Sequence, residues 1–95
     1  MKKFVLITTG YVEPADQIKQ EWKQWFKSIE DLIIDQVSLG NGKEVTPENV
    51  IDLPMDKDAI TGYMVINAKD MDEALSIAKS CPIVSSTKVY EMKSH

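Results

Sequence analysis

Two short runs constrain this chain more than any other feature. Phe4-Val5-Leu6-Ile7 and Tyr63-Met64-Val65-Ile66 are each apolar at four consecutive positions. Both are rich in β-branched and aromatic residues, and glycine stands close to each, at Gly10 and Gly62. Each therefore reads as a strand. Successive strand residues point to opposite sides of a sheet, and a strand covered on one side only alternates apolar with polar residues. Neither run alternates, so both faces of these strands need cover. Helices can cover one face. The other is met by a second copy of the same sheet in a face-to-face homodimer, or by a loop folded across it.

The remaining segments supply the helices. In "EPADQIKQEWKQWFKSIEDLII", Glu13, Pro14 and Asp16 suit a first helical turn. Ile18, Trp22, Trp25, Phe26, Ile29, Leu32 and Ile33 then fall within an arc of roughly 120° at helical spacing, which predicts one amphipathic helix reaching Ile33. A short strand is expected near Gln36–Leu39, a turn at "GNGK", an extended piece near Val50–Leu53, and then a loop. After the strand "ITGYMVINA", Asp70 and Glu73 form a capping-box pair. Met71, Ala74, Leu75 and Ala78 mark the apolar side of a second helix. It must stop near Cys81, because the residue before Pro82 is disfavoured in α geometry. "STKVYEMK" is the last strand. The order β-α-β-β-α-β over residues 1–95, taken as a single domain, predicts an α+β, ferredoxin-like fold: an antiparallel sheet with two helices on one face.

Charge and cysteine usage exclude several roles. The net charge is −4 and the isoelectric point about 4.9, whereas phosphate backbones require a basic face, so no nucleic-acid partner is expected. Lys19, Lys23 and Lys27 form a row, but Glu30 and Asp31 follow, which reads as a solvated helix face. One cysteine cannot form an internal disulfide, and Cys81 with His95 makes no zinc site. The opening "MKKFVLITTG" has too short an apolar run for a signal peptide, and no membrane span is present. A cytoplasmic protein without a cofactor is expected.

Four residues stand out as candidates for a ligand pocket. Trp22 and Trp25 either pack in the core with Phe26 or wall an apolar pocket, with their indole N–H groups as polar handles. Tyr63 has a hydroxyl to present to a ligand or to a partner chain, or it simply packs. Cys81 is either a nucleophile or a small buried residue at a helix stop. A nucleophilic thiol needs a nearby base or cation, the only histidine is the terminal His95, and a helix C-terminus disfavours a thiolate. Asp52, Asp56, Asp58, Asp70, Asp72 and Glu73 are accounted for by capping and solvation. "GNGK" lacks the strand–loop–helix setting of a phosphate loop.

With those segments placed, the chain resembles the YCII-related (DGPF) domain family of the dimeric α+β barrel superfamily. The likeness rests on "EWKQWF", "SLGNGKEV", "ITGYMVINAKDMDEALSIAKSCPI" and the closing "VYEM", and it covers nearly the whole chain. It implies a ferredoxin-like dimer with a pocket between the first helix, the sheet and the partner subunit. It implies no single reaction, since the superfamily includes small enzymes acting on compact organic substrates as well as relatives with no assigned activity. Some YCII-like proteins resemble enzymes through a first-helix histidine paired with a pre-proline aspartate. Here the first helix has no histidine, the pre-proline residue is Cys81, and Ile83 stands where many relatives carry a histidine. "DLPMDKD" lies where the Asp-Gly-Pro-Phe motif is expected.

A homodimeric domain binding a compact apolar or aromatic molecule, without histidine-based catalysis, is the reading these residues favour. A small enzyme using a carboxylate or Tyr63 as acid–base, and a non-catalytic interaction module, are the alternatives. No reaction is assigned from sequence.

Overall fold

The computed structural model describes residues 1–11, 15–82 and 85–93. The elements are β1 (Lys2–Thr9), α1 (Asp16–Ser28), a 3₁₀ turn (Glu30–Leu32), β2 (Ile33–Ser38), β3 (Gly42–Val45), β4 (Val50–Leu53), β5 (Ile60–Ala68), α2 (Met71–Ser80) and β6 (Ser86–Glu91). Four strands form an antiparallel sheet in the order β2-β5-β1-β6. The two apolar runs of the sequence are thus its two central strands. Each helix links strands separated by one other strand, which is the split arrangement of the ferredoxin-like fold.

Cross-strand register sorts the side chains into two faces. One face carries the row Gln36–Met64–Leu6–Val89 and, beside it, Ser38–Gly62–Thr8–Thr87. The other carries Asp35–Val65–Val5–Tyr90 and Val37–Tyr63–Ile7–Lys88. Phe4, Leu6, Met64, Ile66 and Ala68 are buried on the first face against Trp25 of α1, Ile29 just past its end, and Ala74, Ile77 and Ala78 of α2. Both helices therefore cover the same side. On the opposite face Val5, Ile7, Tyr63 and Val65 are only half-buried. The molecule is 18 Å in its shortest dimension, close to one sheet plus one helix layer.

Several local expectations are corrected. Helix α1 stops at Ser28, not at Ile33. The Ser28 hydroxyl donates to the Trp25 carbonyl (2.6 Å), and the Ile29 and Leu32 N–H groups donate to carbonyls three residues back (3.3 and 2.8 Å). The β-branched pair Ile33-Ile34 then opens strand β2. Ile29, Leu32 and Ile33 still reach the core, which is why a helical periodicity persists past the helix end. Glu13 and Pro14 lie outside the described residues.

"GNGK" is not a simple turn. The bend sits at Asn41, whose φ is 32°, and Gly42 and Lys43 already belong to β3. β3 and β4 pair as a separate hairpin closed at Thr46–Asn49, where the Thr46 N–H donates to the Asn49 carbonyl at 2.8 Å. All of its strand residues but Gly42 are exposed. The radius of gyration, 14.4 Å, exceeds the roughly 12.4 Å of a compact chain this long, as a hairpin standing off the main sheet requires.

In α2 the Asp70 carboxylate accepts the Glu73 N–H (2.9 Å), and Glu73 reaches back to the Lys69 N–H (3.0 Å). The capping pair is real, with its return bond one residue earlier than the standard box. The buried stripe is Ala74, Ile77 and Ala78; Met71 and Leu75 face outward. Ala74 and Ala78 let the helix approach β5 closely, and Ile77 fills the space beside them. Cys81, in extended geometry, ends the helix as expected.

Candidate functional site

An open cleft of about 540 Å³ lies between α1 and the sheet. That volume lies within the range of small-molecule sites, roughly 300–1,000 Å³. On the helix side, Ile18, Trp22 and Phe26 project from successive turns. On the sheet side, Thr8, Gln36, Ser38 and Met64 form the floor, with Gly62 among them. One wall is aliphatic and aromatic, and the other carries two hydroxyls and an amide. Such a wall pair encloses an apolar body and hydrogen-bonds its edge.

Gly62 makes the floor deep. A Cβ on it would stand 2.9 Å from the Val37 carbonyl oxygen, a backbone atom that cannot give way without moving β2. Its carbonyl accepts the Thr8 hydroxyl at 3.3 Å. At the mouth, Gly10 has φ 105°, and any side chain there would meet Ser85 within 3 Å. Its N–H donates to the Ala59 carbonyl at 2.7 Å.

The four sequence candidates divide between two places. Trp22 lines the cleft, with its ring edge-on to Trp25 (centroids 5.6 Å apart, 89°) and tilted against Phe26 (5.5 Å). Tyr63 contributes to the cleft wall from β5, while alternation assigns its ring to the opposite sheet face with Ile7 and Val37. Trp25 and Cys81 lie on the other side of α1, at a shallow depression shared with Glu21, Ser28, Ser80 and Pro82. Both are buried. The Trp25 indole donates to the Ser80 hydroxyl at 2.8 Å, so its polar handle is used within the protein. The Cys81 sulfur sits 3.7 Å from the Thr87 hydroxyl, and burial pushes its thiol above the ordinary value of 9.0. It is a protonated thiol at neutral pH, the opposite of an activated nucleophile.

Among the described residues, no carboxylate lines the cleft. Asp52 pairs with Lys43 at 2.9 Å on the exposed hairpin, and Asp56 accepts the Asp58 N–H at 2.9 Å. Ile83 and His95 lie outside the described residues. Sequence reasoning passed over Thr8, Gln36 and Ser38, because a floor assembled from three strands has no local signal.

No protein-family model matches this sequence, and no curated protein sequence matches it. One similar solved structure is that of 5-chloro-2-hydroxyhydroquinone dehydrochlorinase (TftG) from Burkholderia phenoliruptrix AC1100, in complex with 2,5-dihydroxybenzoquinone. The two share 16% sequence identity over 96% of this chain and 93% of that one, with a TM-score of 0.58. At that identity the likeness establishes the fold, an α+β domain of ferredoxin-like topology. No helix among the described residues is long and apolar enough to cross a membrane.

Proposed function

We propose that this chain is a YCII-like, homodimeric cytoplasmic domain that binds a compact aromatic or quinoid molecule in the cleft beneath α1. The observation that carries the reading is the cleft itself: about 540 Å³ walled by Trp22, Phe26, Ile18 and Met64, with the uncharged polar groups of Thr8, Gln36 and Ser38 opposite. A chain of the same fold holds a single six-membered ring compound, which supports a ligand of that size. An unfilled cleft weighs against a purely structural module, and with no carboxylate lining it among the described residues, carboxylate acid–base chemistry has no support there.

Trp22 is the natural reporter. Titrating the chain with a library of small ring compounds should shift or quench tryptophan emission saturably. The response should survive Trp25→Phe and vanish in Trp22→Phe. A library that leaves Trp22 emission unchanged throughout sinks the reading.

The homodimer rests on the open sheet face. Val5, Ile7, Val37, Tyr63, Val65 and Tyr90 form one largely apolar surface, with Asp35 at one end of a row and Lys88 at the end of the neighbouring row. In a face-to-face, two-fold arrangement such a surface is self-complementary. Sedimentation at micromolar concentration should give twice the chain mass.

A further inference from the structure

We infer that the cleft selects an anion: a flat ring carrying one acidic group, a carboxylate or an ionised phenol, held at the mouth by Lys19 and Lys23. The inference rests on the cleft being a ligand site and names the class of ligand. Among the described residues, fifteen line the cleft, and the only charged ones of these are the two lysines. The chain as a whole has a net charge of −4, so a wall whose described residues include two cations and no acid opposes the general balance. Neither lysine is in an ion pair among the described residues, whereas Lys2 and Lys43 are paired with Glu91 and Asp52.

The helix geometry explains their position. At about 100° per residue, Ile18, Trp22 and Phe26 span roughly 80° of the α1 surface, and Lys19 and Lys23 follow within the next 60° or so. The aromatic strip thus grades directly into a cationic strip along the same cleft. Lysine stems pack on apolar surface while the ammonium stays in water, so both heads can close on an acidic substituent whose ring lies against Trp22 and Phe26. Opposite them, Thr8, Gln36 and Ser38 provide neutral donors and acceptors for ring hydroxyl or carbonyl oxygens. A cationic ring would meet only like charge there. A dianion would bring a second charge to a floor with no cation.

The test uses the full chain and two matched pairs: naphthoate against naphthamide, and an acidic nitrophenolate against the corresponding nitroanisole. Binding is measured by titration calorimetry at low salt and again near 1 M, where screening shortens to about 3 Å. Each anion should bind about tenfold or more tightly than its neutral twin, and that preference should shrink at high salt. Lys19→Gln with Lys23→Gln should bring the ratio toward one while leaving the neutral twins' affinity unchanged. Lys27→Gln, on the same helix but outside the cleft, should preserve it. Preference in one pair alone identifies the carboxylate or the phenolate as the group read. Neutral twins binding as tightly as the anions, or a preference that survives the double substitution, overturns the anion inference and leaves the ring site standing. Absence of binding by all four compounds, together with unchanged Trp22 emission, overturns both.

Discussion

The indole N–H of Trp25 donates to the Ser80 hydroxyl across 2.8 Å, and that hydroxyl donates onward to the Ile77 carbonyl at 2.7 Å. This chain of two bonds fastens α1 to the last turn of α2. It adds to the burial of the Trp25 ring, which holds the roll of α1 about its axis. With Trp25 turned toward α2 and the core, Trp22 is left facing the cleft.

Removing the acceptor should therefore weaken the fold without closing the cleft. Ser80→Ala leaves a partly buried indole N–H without its protein partner, which costs about 0.5–1.5 kcal/mol. Urea denaturation should show that loss, with ligand-dependent Trp22 emission retained. Unchanged stability would mean that the bond contributes nothing net.

Gly62→Ala is expected to destabilise by about 1–3 kcal/mol. The new methyl meets the Val37 carbonyl oxygen at 2.9 Å, so edge strand β2 must shift away from β5. Amide exchange should accelerate most at Leu39, whose N–H donates to the Thr61 carbonyl at 2.9 Å. Uniform acceleration across the sheet would contradict the local clash.

The Cys81 thiol makes stability depend on alkaline pH. Burial raises its pKa above 9.0, with bonds to Thr87 and to backbone opposing the rise. The folded state therefore keeps a proton that the unfolded chain releases. That contribution is fully present below pH 9.0 and declines above it until the folded thiol also ionises. Unfolding free energy should fall more steeply from about pH 9 upward in the parent chain than in Cys81→Ala. Parallel pH profiles would show that the thiol is not the cause.

Val65 lies at the centre of the open sheet face, between Asp35 and Val5 in its row. Val65→Lys should leave the far-ultraviolet circular dichroism of the chain unchanged while halving its sedimenting mass. The added ammonium would be solvated in a monomer, beside the Asp35 carboxylate, and would lose that water against an apolar facing sheet in a dimer. A parent chain that sediments as a monomer would remove the need for any such contact.

Much of this architecture is local physics written in order along the chain. The unbroken apolar runs at Phe4–Ile7 and Tyr63–Ile66 place β1 and β5 at the sheet centre, because only central strands can bury both faces. Asp70 with Glu73 begins α2 and Cys81-Pro82 ends it, since capping and the pre-proline clash act within a few residues. The hairpin was less legible: Gly40-Asn41-Gly42 signals a bend, but strand pairing of Gly42–Val45 with Val50–Leu53 depends on partners that periodicity does not reveal.

What only the tertiary structure decides is which side of each element faces what. Trp22 and Trp25 are about 60° apart around the helix, and both fit an apolar arc. Core packing against residues far away in sequence, with Ser80 taking the indole N–H, puts Trp25 in the core and leaves Trp22 to wall the cleft. The same roll brings the solvent-exposed Lys19 and Lys23 to the cleft mouth, opposite a floor gathered from Thr8 on β1, Gln36 and Ser38 on β2 and Met64 on β5. Secondary structure follows from contacts between near neighbours, and the sequence by itself determined it for most elements. The site is a set of long-range juxtapositions, and those exist only once the helices have packed on the sheet.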